Sequence, residues 1–186
     1  MALEIKDVKH GVSLLNEHDI YLFRQGTHYS LYEKLGSHII EHEGDKGTLF
    51  AVWAPNARQV SVIGDFNGWD KGSTKLKPRW DSSGIWEGFV PGLGNGEIYK
   101  YHIVSESGYS VDKGDPFAFR WQEPPATASM VWDIDYEWDD AEWHKKRSKW
   151  DFTKEPFSVY EVHPGAWQRG EDNTFLNYRE LAETLP

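Results

Sequence analysis

Val60-Ser-Val-Ile-Gly-Asp-Phe-Asn-Gly-Trp-Asp70 begins as a strand and ends as a turn. Val60 and Val62 alternate with Ser61, as a strand with one buried face requires, and the run stops at Gly64. In Gly64-Asp-Phe-Asn-Gly-Trp-Asp70 the two glycines permit backbone conformations closed to other residues. Asp65 and Asn67 brace the turn by hydrogen-bonding nearby backbone. Such a turn presents Trp69 as a rigid platform. The same grammar recurs on both sides. Thr48 to Trp53 is strand-like and ends at Ala54-Pro55-Asn56, and Gly84 to Val90 ends at Pro91-Gly92. Glu97 to Val104 sets Tyr99, Tyr101 and Ile103 on one face and Ile98, Lys100, His102 and Val104 on the other, so Lys100 points away from the more apolar side. Tyr109 to Val111 and Ser129 to Trp132 are shorter strand segments. Short strands at regular spacing with Gly, Pro and Asn punctuation predict an all-β sandwich over residues 45–135. No crossover helix separates them, which argues against a parallel α/β sheet. Trp53 and Trp86 fall on strand patterns and are expected in its core.

The flanks read differently. Residues 1–44 form an arm: Leu3, Ile5 and Val8, then Leu14, Leu15, Ile20, Tyr21 and Phe23, predict one or two short helices, followed by an ordered stretch from Gly26 to Gly36. Residues 136–156 are a polar connector carrying Trp138, Trp143 and Trp150. Phe157 to His163 is an apolar run compatible with a strand buried on both faces. A helix follows between Thr174 and Leu185, with Asn177 and Glu180 spaced for reciprocal capping. A lone β–α unit cannot bury its own faces, so a larger structure is expected downstream.

Composition narrows the chemistry. The 186 residues suffice for a core without disulfides or metals. There is no cysteine, so a disulfide framework, a thiolate metal site and a thiol nucleophile are all excluded, and a reducing cytoplasm is the expected compartment. The first ten residues lack the apolar centre of a signal peptide, and no run approaches the roughly 20 apolar residues of a membrane span. A formal net charge of −10 argues against nucleic acid as a partner. Lys145-Lys146-Arg147 is flanked by Asp139, Asp140, Glu142 and Asp151 and reads as one side of a solvated mixed-charge segment. The eight histidines show no metal-ligand spacing, and no cofactor or metal is expected. The excess is aromatic: ten Trp in a chain of this size imply that some serve a ligand surface. Sugar rings have apolar C–H faces and hydroxyl rims, a match for an indole face with polar groups alongside. Either Trp69 fills that role or it packs beneath its own turn as a lid.

Phe50-Ala-Val-Trp-Ala-Pro-Asn-Ala57, Val60 to Trp69, Gly84-Ile-Trp-Glu87, Tyr99-Lys-Tyr101 and Asp115-Pro116 together resemble the family 48 carbohydrate-binding module, an immunoglobulin-like β-sandwich found ahead of α-glucan-acting enzymes and in glycogen-sensing subunits. Gly26-Thr-His-Tyr-Ser-Leu-Tyr-Glu-Lys-Leu-Gly-Ser-His38 resembles the lead-in of bacterial glycogen branching enzymes. Pro125-Ala-Thr-Ala-Ser129 and Val159-Tyr-Glu-Val-His-Pro-Gly-Ala-Trp167 resemble the same family at the entry to its catalytic barrel, with Pro164-Gly-Ala166 replacing the more usual Leu-Gly-Ser. The resemblance implies an α-glucan ligand, whether glycogen, amylose or a maltooligosaccharide. Trp69 would stack on a glucose ring, and Lys100, otherwise an ordinary solvated lysine, would donate to hydroxyls. Tyr109 stands where the sensing modules carry Trp and would be a second platform. Asn67 is either a polar contact or a brace.

The resemblance further implies that residues 157–186 open a (β/α)8 barrel of glycoside hydrolase family 13, truncated here after its first β–α unit. Branching enzymes move α-1,4-glucan chains to 6-hydroxyls with retention, which needs two carboxyl groups about 5–5.5 Å apart. The family places these at the ends of later barrel strands, so this chain is expected to hold no catalytic residue, and His163 reads as a strand or loop-positioning residue. Other readings keep the module but attach a debranching enzyme or a maltooligosyltrehalose hydrolase, or make it a non-catalytic glycogen sensor or a structural spacer. An unpaired apolar strand at 157–163 also predicts self-association.

Overall fold

Leu49, Ala51, Ile85 and Phe89 are apolar where a one-sided sheet would carry polar residues, so their strands must be covered on both faces. The computed structural model describes residues 7–185 and shows how. The chain divides into two compact units, one reaching Asp135 and one starting at Tyr136; Leu3 and Ile5 lie outside the described residues. In the first unit, strands β1 (Gly36–His42), β2 (Asp45–Trp53), β4 (Lys77–Pro78) and β5 (Ile85–Pro91) form one antiparallel sheet in the order β1-β2-β5-β4. Strands β3 (Ala57–Gly64), β6 (Ile98–Ser105), β8 (Arg120–Trp121) and β9 (Ser129–Met130) form the second in the order β3-β6-β9-β8, with β7 (Ser110–Lys113) also pairing β6.

The inner faces meet as the alternation requires. Phe50 and Val52 from β2 and Trp86 and Val90 from β5 pack with Val60, Val62, Tyr99 and Tyr101 from β3 and β6. Two polar groups inside this core are satisfied by one carboxylate: the hydroxyls of Tyr99 and Tyr101 donate to Asp115 Oδ2 at 2.7 and 2.9 Å. Burial raises the Asp115 carboxyl above its ordinary range, against the pull of those two hydroxyls and the Phe117 N–H.

The outer face of the first sheet is covered by the arm. Helix α1 (Glu17–Gln25) starts at Asn16, whose side chain accepts from the Asp19 N–H while the Asp19 side chain accepts from the Asn16 N–H, and it stops at Gly26 in the left-handed region. Leu15, Ile20 and Leu35 then bury Ala51 and Ile85, and Val12 packs on Leu49 and Phe89. The arm is thus the third layer of a sandwich. Its last segment goes further than expected, because Gly36–His42 is strand β1, the edge of the first sheet.

One connection joins the sheets without slack. The Val62 N–H donates to the Thr74 carbonyl and the Leu76 N–H to the Val60 carbonyl, so residues 74–76 run antiparallel beside β3. Lys77 and Pro78 then pair with Glu87 and Trp86 of β5.

Two further expectations change. Trp86 is core, but Trp53 is 55% exposed. It shares a face with Leu49 and Ala51, not with Phe50 and Val52, and it lies at the margin of the arm, with its ring edge-on to Phe23 and its Nε1 donating to the Ser83 carbonyl. In the second unit, residues 158–163 form no strand. Phe157, Val159 and Tyr160 are all exposed, and so is His163. A strand exists through its neighbours' hydrogen bonds, and the bridge described in this unit joins Arg169 to Phe175 instead. Helices α2 (Ala141–Arg147), α3 (Pro164–Trp167) and α4 (Tyr178–Thr184) account for its regular structure, and α4 is capped at Asn177 and Glu180 as the spacing predicts.

Candidate ligand-binding face

Asn67 is the main side-chain brace of the turn after β3. Its Oδ1 accepts from the Gly64 N–H at 3.0 Å, and its Nδ2 donates to the Val62 carbonyl at 2.9 Å and Thr74 Oγ1 at 3.0 Å. With its amide so occupied, Asn67 is a brace, not a free contact. Gly68 adopts the left-handed region, φ 62°. Gly64 does not: it is extended, φ −176°. Glycine is required there by space, since a Cβ would lie 2.1 Å from the Ile98 carbonyl oxygen.

Trp69 follows with φ 61°, a conformation a bulky residue seldom adopts. Two bonds hold it there. Its backbone N–H donates to the Gly64 carbonyl at 2.9 Å, and its indole Nε1 donates to Asp65 Oδ1 at 2.7 Å. Trp69 remains 37% exposed.

Strand β6 supplies the neighbouring polar groups. Gly64 pairs with Tyr99 and Ile63 with Lys100, so Lys100 stands at the Trp69 end of the sheet, on the face opposite Tyr99 and Tyr101. Its Nζ donates to Thr127 Oγ1 at 2.8 Å. Two residues along the same face, His102 Nδ1 lies 2.6 Å from Asp112 Oδ1, and Lys71 Nζ is 3.0 Å from Asp112 Oδ2. Burial works to raise the Asp112 carboxyl, but the hydrogen bonds from His102 and Lys71 hold it below its ordinary range. The sequence reading missed Lys71, His102 and Asp112. The parity of β6 and β7 was the available signal: His102 and Asp112 are cross-strand partners on the Lys100 face.

Tyr109 is elsewhere. It sits in the β6–β7 turn, where the Ser105 N–H donates to its carbonyl, and Ser105 pairs with Ala57. Six residue-to-residue steps from Tyr99 to Ser105 put Tyr109 about 20 Å from the Trp69 end at about 3.3 Å per residue. The ring is 69% exposed. Lys100 thus lies at the Gly64 end of β6, and Tyr109 lies beyond the other end. Among the described residues no group of three His, Asp or Glu is placed to hold a metal, and no helix is long and apolar enough to cross a membrane.

Residues 34–118 match the family model of carbohydrate-binding module 48 (Isoamylase N-terminal domain). That match lies wholly within the first unit. The chain is 54% identical over 176 residues to the 1,4-alpha-glucan branching enzyme GlgB of Aquifex aeolicus, covering 94% of this chain and 28% of that protein. It is 51% identical over 171 residues to the same-named enzyme of Albidiferax ferrireducens, covering 91% of this chain and 27% of that protein. The chain thus spans little more than a quarter of the length of the curated relatives it matches. Among solved structures, pullulanase from Bacillus acidopullulyticus aligns at 26% identity and a TM-score of 0.42, over 54% of this chain and 12% of that one.

Proposed function

We propose that the first unit binds an α-glucan at the Trp69–Lys100 end of the second sheet, as the glucan-binding part of a 1,4-alpha-glucan branching enzyme of glycogen synthesis. The observation that carries the reading is Trp69, whose indole is held by Asp65 while the residue stays 37% exposed. A glucose ring stacks on that indole, and Lys100 donates to its hydroxyls. The identity to branching enzymes across more than nine-tenths of the chain supports the assignment of the ligand as an α-1,4-glucan. In this reading the connector at 136–156 leads into residues 157–186 as the opening of a (β/α)8 barrel. Strand formation at 158–163 then waits on neighbouring barrel strands, and the exposed Phe157, Val159 and Tyr160 are the residues those strands cover. The cytoplasm is the compartment that fits a cysteine-free glycogen-handling chain.

Affinity electrophoresis in native gels with and without glycogen tests the proposal. The wild-type chain is expected to be retarded by glycogen, and Trp69→Ala and Lys100→Ala to run faster in the same gel. Equal mobility of the wild type with and without glycogen would make the sandwich a spacer and overturn the reading.

A further inference from the structure

Trp80 is 84% exposed, more than twice the exposure of Trp69, and its two neighbours in sequence are pinned. Arg79 Nε donates to Asp81 Oδ2 at 2.8 Å and its Nη1 to Glu87 Oε2 at 2.8 Å, with side chains only 8–9% exposed. The Arg79 N–H donates to the Ile85 carbonyl at 2.8 Å, Asp81 Oδ1 accepts from the Ser83 N–H at 3.0 Å, and Arg24 of α1 donates to the Asp81 carbonyl. The hairpin between β4 and β5 therefore holds its tryptophan out from a rigid base.

Two concavities meet at that indole. One, about 320 Å³, lies between Trp80 and α1 and is lined by Tyr21, Arg24, Gln25 and Glu17. The other, about 500 Å³, also includes Trp80, with Asn16 and Lys77 among its lining groups. Both are of the size that holds a small ligand. Their chemistry is mixed: two aromatic rings, Trp80 and the 60% exposed Tyr21, stand among an amide, a carboxylate and a guanidinium. A purely apolar partner would strand those polar groups. An anion gains little from Arg79, whose guanidinium already faces two carboxylates. A ring with apolar faces and a hydroxyl edge satisfies both sets of groups.

We infer that Trp80 and Tyr21 form a second glucan-binding site, on the edge of the first sheet and separate from the Trp69 face. The inference rests on the α-glucan reading above for its ligand. On a particle with many chain ends, two weak sites act together and raise the retention well beyond either alone.

Glycogen gels with the wild type, Trp80→Ala, Trp69→Ala and the double variant test it, with melting temperature as a control for folding and Tyr21→Ala as an independent probe of the same site. The expected result is a loss of apparent glycogen affinity of about tenfold in Trp80→Ala, a smaller loss in Tyr21→Ala, and residual retardation in Trp69→Ala that the double variant abolishes. Trp80→Phe, which keeps a ring, is expected to recover part of the loss. If Trp69→Ala weakens retardation while Trp80→Ala and Tyr21→Ala match the wild type, the second site is overturned and the first stands. If the wild type is not retarded at all, both fall together.

Discussion

The indole Nε1 of Trp69 donates to Asp65 Oδ1 across 2.7 Å, four residues back in the same turn. The ring is thus oriented before any ligand arrives, and the cost of immobilising it is met in folding and not in binding. Asp65→Ala frees the ring without removing it. Holding one side chain still is worth about 0.5–1.5 kcal/mol, so glycogen affinity is expected to fall about two- to tenfold. The melting temperature should hardly move, because the turn keeps its Asn67 bonds. A large loss of melting temperature, or unchanged affinity, counts against the ring-orienting role.

Tyr109 lies about 20 Å from the Trp69 end of β6, too far for a short oligosaccharide to reach both. Tyr109→Ala is expected to leave maltotriose binding, measured by calorimetry, unchanged. Loss of maltotriose affinity in this variant would place Tyr109 at the Trp69 end after all.

Asp115 gives the core a pH signature. Burial raises its carboxyl above the ordinary value of 3.8, so the folded state favours the protonated form. The stability this contributes is fully present below the ordinary carboxylate value and is lost as pH rises through the raised one. Asp115→Asn stays neutral and lacks that dependence. The wild-type melting temperature, taken relative to Asp115→Asn, is expected to be highest below about pH 4 and to decline as pH increases. A difference that is flat, or that grows with pH, would refute the assignment.

Gly64→Ala is a steric test. The new Cβ would sit 2.1 Å from the Ile98 carbonyl oxygen and 2.8 Å from the Phe66 ring, where backbone has to move. Overpacking of this kind costs about 1–3 kcal/mol, and chemical denaturation should read it directly. Because Gly64 is extended, none of the cost is backbone strain; a variant as stable as the wild type would mean that β3 and β6 separate freely at this end.

Much of the sandwich could be read from the chain because alternation and punctuation coincide: Val60 and Val62, Tyr99 and Tyr101, and the Gly and Pro stops mark β3, β5 and β6 closely. What failed was local. Trp53 was placed in the core because its strand is apolar on both sides, and alternation alone does not say which face meets the other sheet and which meets the arm. Gly36–His42 escaped because an edge strand is defined by its partner, here β2, more than by its own residues. The same physics explains 158–163, where an apolar run without partners remains irregular. At the ligand face, the Trp69 turn was legible from its glycines and side-chain braces. The His102–Asp112–Lys71 group was not, since it needs three separated segments to meet. Trp80 carried no local signal beyond being a tryptophan; its rigidity comes from a carboxylate seven residues later in the chain, at Glu87.

The span from Thr74 to Pro78 is hydrogen-bonded to β3 along its first half and to β5 along its second. Trp69 precedes it and Trp80 follows it, so a taut strap belonging to both sheets separates the two indoles. Along it, Thr74 to Trp80 covers about 20 Å at about 3.3 Å per residue. Rings fixed at a set interval behave as a gauge: a flexible polysaccharide that touched both would be registered to one length and one heading. Loosening the strap, with both indoles intact, would erase that register while leaving each ring as able to bind as before.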